Sequence, residues 1–179
     1  MIRLFIAIDL PKEIKSYLKV TQDEIIKKID TRKTKIKWVA PKNIHQTLKF
    51  IGYIDETRLD DIKSKLKNIK FNNFKANLEK LSAFPTGNNI KVIFLEFKAP
   101  EIFTLKDKID KELEGYGKED DLFASHLTLG RLKSSQEKDK LSKILQEIKI
   151  EKKQFAINEI TLFQSKLTKE GPIYTKIPF

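Results

Sequence analysis

Apolar positions along the chain switch repeatedly between a two-residue spacing and a three-to-four-residue spacing, and each switch marks a change of element. Residues 2–9 read as a strand with Leu4, Ile6 and Ile8 on one face and Arg3, Phe5 and Ala7 on the other. Pro11 then opens a helix in which Ile14, Leu18, Thr21, Ile25 and Ile29 fall at helical spacing. Short strands are predicted at 36–39 and 44–51, and Thr57 is placed to cap a helix carrying Leu59, Ile62, Leu66 and Ile69. Strands at 74–83 and 90–97 are joined across the turn-rich Pro85-Thr86-Gly87-Asn88-Asn89. A further helix aligns Ile102, Leu105, Ile109 and Leu113. After a strand around His126, Ser134-Ser135-Gln136-Glu137 reads as a capping box before a helix with Leu141, Leu145 and Ile148. Strand character at 155–165 and 173–177, divided by the Glu170-Gly171-Pro172 turn, completes the chain.

Strands and helices mix here without strict βαβ alternation, which predicts an α+β fold of largely antiparallel sheets with helices on their outer faces. A doubly wound parallel sheet is the losing alternative, because no glycine-rich phosphate loop opens a helix. The 179 residues contain no Ser/Gly-rich linker or low-complexity tract, so residues 1–179 are expected to form one unit made of lobes.

The chain has two histidines, and each opens the same tetrapeptide pattern, His45-Gln46-Thr47-Leu48 and His126-Leu127-Thr128-Leu129. With ordinary Thr and Leu usage, chance repetition of both positions has a probability on the order of 10⁻⁴ or less. Both patterns lie in strand-like surroundings. His and Thr two residues apart then stand on one face, about 7 Å apart along the strand. The opposite face takes Ile44, Leu48 and Phe50 in the first copy and Leu127 and Leu129 in the second.

Two such strands facing one cleft supply two imidazoles and two hydroxyls. That set suits phosphodiester cleavage, in which the attacking oxygen loses a proton on one side of phosphorus while the leaving oxygen gains one on the other. Thr47 and Thr128 would donate to the non-bridging oxygens as they gather charge. A bell-shaped pH dependence follows, with apparent pKa values that belong to the pair. Zinc is a competing use of histidine, but two histidines and no cysteine fall short of the usual three or four ligands, and no carboxylate sits in either motif.

Arg131 closes the second motif and could hold phosphate through its guanidinium fork. Strict alternation puts it on the face opposite His126, so Gly130 must bulge or end the strand for Arg131 to reach the cleft; a surface salt bridge is its competing role. Phe5 is a candidate base-stacking platform, with core packing as the alternative. Trp38 and Tyr174 are aromatic groups near the expected cleft edges, with burial as their competing role.

Lys and Arg total 36 against 25 Asp and Glu, a net charge of +11 that favours polyanions such as RNA. The densest basic stretch is Lys27, Lys28, Arg32, Lys33, Lys35 and Lys37, either a solvated face or a contact for RNA backbone. The absence of cysteine excludes disulfides and thiol nucleophiles and fits a reducing interior. No segment reaches membrane-spanning length and Met1-Ile2-Arg3-Leu4-Phe5 has no basic leader, so a cytoplasmic protein without membrane contact is expected.

The ordered motifs resemble one family, the two-histidine phosphoesterases and specifically the RNA 2′,3′-cyclic phosphodiesterases once described as 2′-5′ RNA ligases. The likeness runs through Arg3-Leu4-Phe5-Ile6-Ala7-Ile8-Asp9-Leu10-Pro11, Trp38-Val39, His45-Gln46-Thr47-Leu48-Lys49-Phe50-Ile51-Gly52 and His126-Leu127-Thr128-Leu129-Gly130-Arg131. It ends in Leu162-Phe163-Gln164-Ser165-Lys166-Leu167 and Gly171-Pro172-Ile173-Tyr174. It implies a bilobal, pseudo-two-fold fold with two sheets facing across a central cleft. It also implies hydrolysis of a terminal 2′,3′-cyclic phosphate on RNA to a 2′-phosphate, with His45 as proton donor and His126 as proton acceptor. The near-symmetry of the motifs leaves that assignment open in the sequence itself. Run in reverse with an RNA 5′-hydroxyl, the chemistry would make a 2′-5′ linkage. No cofactor or metal is called for, and a monomer is expected. A phosphodiesterase for small cyclic nucleotides or ADP-ribose cyclic phosphate and a non-catalytic RNA-binding module that only holds a terminal phosphate are the alternatives.

Overall fold

The alternating segments pair into two sheets in a computed structural model that describes residues 1–85, 89–117 and 123–179. The first sheet contains β1 (Ile2–Asp9), β3 (His45–Ile54), β8 (Thr161–Leu167) and β9 (Pro172–Ile177), ordered β3-β1-β8-β9. The second contains β2 (Thr34–Trp38), β4 (Phe74–Phe84), β5 (Val92–Lys98), β6 (His126–Ser135) and β7 (Gln154–Ile157), ordered β2-β6-β5-β4-β7. All the pairings are antiparallel, as the α+β expectation requires. The helices are α1 (Lys12–Lys28), α2 (Leu59–Asn68), α3 (Glu101–Glu112) and α4 (Lys138–Glu147).

Counted outward from each histidine-bearing strand, the sheets repeat one plan, β3-β1-β8-β9 and β6-β5-β4-β7. The second strand of each series leads into a helix, α1 or α3, and the histidine strand itself leads into α2 or α4. Strand β2 is the addition: it follows α1 in sequence but pairs with β6 in the other sheet. β3 and β6 lie side by side where the sheets meet.

Leu4, Ile6 and Ile8 bury their face of β1 against Ile14, Leu18 and Ile25 of α1, and this core continues through Ile93, Leu95, Leu127 and Leu129 of the second sheet. Each such side chain contributes roughly 1.5–3 kcal/mol on burial. Gln22 and Gln46 are buried among them, and both spend their polar atoms on the junction between the sheets. The α1 stripe stops at Ile25 because the helix ends at Lys28, leaving Ile29 in extended backbone.

Three local expectations are corrected. Asp55, not Thr57, is the cap before α2: its carboxylate accepts from the Thr57 N–H and hydroxyl, and Thr57 sits inside a short 3₁₀ turn. The capping box at 134–137 does not form, because pairing with Thr34 and Lys35 keeps Ser134 and Ser135 in β6. The Ser135 hydroxyl accepts from the Glu137 N–H, and the Glu137 carboxylate turns to Lys33 and Lys140. The strand character at 155–165 divides at Asn158-Glu159-Ile160 into β7 and β8, which belong to different sheets. In the predicted 85–89 turn, Thr86, Gly87 and Asn88 lie outside the described residues.

Candidate active site

Strand pairing sets His45 beside Asp9 and Thr47 beside Ala7, while Thr128 lies across from Phe94 and His126 across from Glu96. Directly paired residues share a sheet face, so each His–Thr pair stands on the face opposite the core, half-buried. The imidazoles are close enough that the His126 charge contributes to the titration of His45.

Both rings are held alike. His45 Nδ1 lies 2.7 Å from the Asn43 carbonyl oxygen, and His126 Nδ1 lies 2.8 Å from that of Ala124, in each case two residues upstream. A carbonyl only accepts, so Nδ1 carries the hydrogen in both rings and Nε2 is the atom offered to the cleft. Aromatic walls fix the ring planes. Phe5 and Tyr174 lie 4.8 and 5.4 Å from His45 between centroids, and Phe84 and Phe94 each lie 5.6 Å from His126.

Burial pushes the His45 pKa below the ordinary imidazole value. Its hydrogen bond to Asn43 and the Asp9 charge oppose this, while the charges of Lys15 and His126 add to it. Burial acts upward on the Asp9 carboxyl as well, yet hydrogen bonds and charges from Lys15 at 2.5 Å and Lys176 at 2.7 Å leave it lowered overall. Tyr174 is raised by burial, against the opposing charges of Arg3 and Arg131.

That influence of Arg131 on Tyr174, across the junction of the sheets, agrees with the register of β6. Gly130 pairs with Ile93 and Thr128 with Phe94, so Leu129 is an extra residue. The bulge returns Arg131 to the His126 face, where it is exposed. β3 bulges at the same offset: Lys49 pairs with Ile6 and Thr47 with Ala7, so Leu48 is extra. Phe50, expected on the core face, is thereby turned to the histidine face, 52% exposed and 6.1 Å from Phe5. Each bulge is buttressed by a helix of the other half. Gln22 of α1 donates to the Leu129 carbonyl at 2.9 Å and to that of Val39 at 2.8 Å. Asp110 of α3 accepts from buried Lys49 at 2.8 Å and from buried Lys106.

Phe5 is 3% exposed and packed in a small cluster with Ala7 and Phe163 against Tyr174, which favours core packing over base stacking. Tyr174 is packed beside His45, and Trp38 is part-buried against the main core. Among the described residues, no three His, Asp or Glu side chains gather as a metal-ligand set. Gln46 is a site residue that the repeated motif does not single out. It is 0% exposed, and its side-chain oxygen accepts from the backbone N–H of His126 at 2.6 Å, joining one motif to the other. A glutamine at a position whose alternation demands an apolar side chain was its only signal.

Comparison with known proteins adds an independent finding. Residues 8–94 and 97–174 match the family model described as LigT like Phosphoesterase. The chain is 34% identical to the RNA 2′,3′-cyclic phosphodiesterase of Methanocaldococcus jannaschii over 178 residues, covering 98% of each. It is 32% identical to the protein of that name from Methanothermobacter thermautotrophicus over 180 residues, covering 97% of this chain and 95% of the relative. The crystal structure of E. coli LigT complexed with 3′-AMP superposes with a TM-score of 0.74 at 22% identity, covering 98% of this chain and 95% of that one.

Proposed function

The chain belongs to the LigT-like phosphoesterases, and from that premise we propose that it is an RNA 2′,3′-cyclic phosphodiesterase, hydrolysing the terminal cyclic phosphate to a 2′-phosphate through His45 and His126 without a metal. The observation that supports proton transfer by both histidines is the matched clamp, with each Nδ1–H fixed on a carbonyl two residues upstream and each Nε2 left for the cleft; which ring is donor and which acceptor follows the family resemblance.

His126 Nε2 takes a proton from water as its oxygen bonds to phosphorus, and His45 Nε2 gives a proton to the departing 3′ oxygen. Thr47, Thr128 and Arg131 receive the charge that builds on the non-bridging oxygens. Burial disfavours the charged form of His45. A bound phosphodiester anion supplies the opposite charge that favours imidazolium, so substrate loads the acid it requires. With an RNA 5′-hydroxyl in place of water, His126 takes the proton of that hydroxyl, His45 again protonates the departing 3′ oxygen, and a 2′-5′ linkage forms; cleavage of that linkage is the reverse reaction, in which the histidines exchange roles.

The net charge of +11 supports a polyanionic substrate, and the lack of cysteine supports a cytoplasmic setting. No helix among the described residues is long and apolar enough to cross a membrane. We assign the active form as a monomer, since both motifs come from one chain.

The test is turnover of 2′,3′-cyclic AMP and of a cyclic-phosphate-ended oligonucleotide in EDTA. Activity should persist in chelator, vanish in His45→Ala and His126→Ala, and fall about 10²-fold in Thr47→Ala or Thr128→Ala. Loss in EDTA with recovery on adding metal overturns the metal-free mechanism. Full activity in either histidine variant overturns the acid–base pair.

A further inference from the structure

The basic run at residues 27–37 is a sequence feature that the cleft does not absorb, and the fold sorts it. Arg32 turns onto Asp30 and Lys33 onto Glu137. Lys35 and Lys37 remain exposed on β2 with no ion pair among the described residues. Lys133 of β6 joins them along a groove of about 300 Å³ that also touches Ile29, Thr34 and Trp38. No carboxylate among the described residues lines it. It follows β2, the outer strand of its sheet. At its inner end Lys37 lies across the ladder from Arg131, so the groove prolongs the basic wall of the cleft.

Lysines also guard an open strand edge against pairing with another sheet. That role needs neither a concavity nor continuity with a phosphate site. A cationic groove leading into such a site fits a chain of phosphates, which a single-stranded RNA end provides.

We propose that this groove holds the phosphate backbone of the RNA strand immediately upstream of the reacting end, with Lys35, Lys37 and Lys133 as its contacts. The proposal rests on the RNA assignment of the cleft. It makes the enzyme selective for oligonucleotide ends over single nucleotides, because a mononucleotide fills the cleft and leaves the groove empty.

The experiment uses Lys35→Gln/Lys133→Gln, with Lys37 kept because it neighbours Arg131. A second variant, Lys67→Gln/Lys75→Gln, removes the same charge from exposed positions on α2 and β4. Binding of a labelled RNA oligonucleotide ending in 2′-phosphate is measured across a salt series, beside turnover of 2′,3′-cyclic AMP. The groove variant should bind the oligonucleotide about tenfold more weakly at low salt. Its salt dependence should be shallower by about 0.7 per lost phosphate contact, with cyclic AMP kinetics unchanged. Unaltered oligonucleotide binding, or an equal loss in the second variant, overturns the groove. Absence of turnover of both 2′,3′-cyclic AMP and a cyclic-phosphate-ended oligonucleotide by the unaltered protein counts against the phosphodiesterase assignment alone, since oligonucleotide binding judges the groove separately.

Discussion

Gln46 couples the two histidines more directly than any other side chain described. It leaves the first motif on the core face and ends on the His126 N–H, at a point on β6 that β2 does not reach. Gln46→Leu keeps the volume and removes the acceptor, leaving a part-buried N–H unpaired at a cost of about 1 kcal/mol. Expected are a lower melting temperature and about a tenfold fall in kcat with KM little changed; an unchanged kcat would show that His126 holds its position unaided. His45 makes a second prediction. Because its folded pKa lies below the unfolded value, the unfolded chain binds more protons between the two. The stability it contributes is therefore full above the ordinary imidazole pKa and is lost as pH falls toward the depressed value. An NMR titration should find His45 below that ordinary value in free protein and higher with inorganic phosphate bound. A free value at or above the ordinary one contradicts the burial argument. The His–Thr pairs were legible because alternation over three residues survives almost any strand. Gln46 was not, since its partner lies in another sheet, and Phe5 looked available because strand period shows which face a ring takes and not what covers it.

At the level of elements, the instructive feature is the bulge that both histidine strands share three residues past the histidine. One extra residue inverts the alternation beyond it, bringing Phe50 and Arg131 to the working face and sending Lys49 and Gly130 to the buried one. For Arg131 the sequence showed the need for such an irregularity. For Phe50 it showed none, since Leu48-Lys49-Phe50 contains no glycine to mark it. The buried side at Gly130 is tight: an added Cβ would lie 2.7 Å from Ile36 Cγ2 and 3.0 Å from Trp38 Cε3. Gly130→Ala should therefore cost about 1–3 kcal/mol through overpacking, read as a lower denaturation midpoint. No change in midpoint would mean that β2 moves aside freely. Helix stripes were read well, because Ile14, Leu18, Ile62, Leu66 and Leu141 need only a core on one side. Caps were read poorly, because strand pairing at Ser134-Ser135 overrode a local hydrogen-bond preference.

Across the whole molecule, the two halves are stitched by Gln46 to His126, by Gln22 to Leu129 and by Lys49 to Asp110, all at the bulges or the motifs themselves. Any loosening of one half reaches the other at its reactive strand. Calorimetry should show one cooperative transition, with calorimetric and van't Hoff enthalpies equal. Two resolved transitions would make the halves separate folding units. The mixed strand and helix order made the antiparallel α+β class legible. The crossing of β2 and of the β7–β8 segment between sheets was not, because a strand's own pattern reports its faces and leaves its neighbours unspecified.

The placement of β2 bears on how the gene can be divided. A fragment ending after α2 would retain that ribbon without the sheet that receives it, and the complementary fragment would display a bare hydrogen-bonding margin along β6. Such pieces could regain the native shape only by mutual insertion, and each alone would be drawn to self-association along its unfilled border.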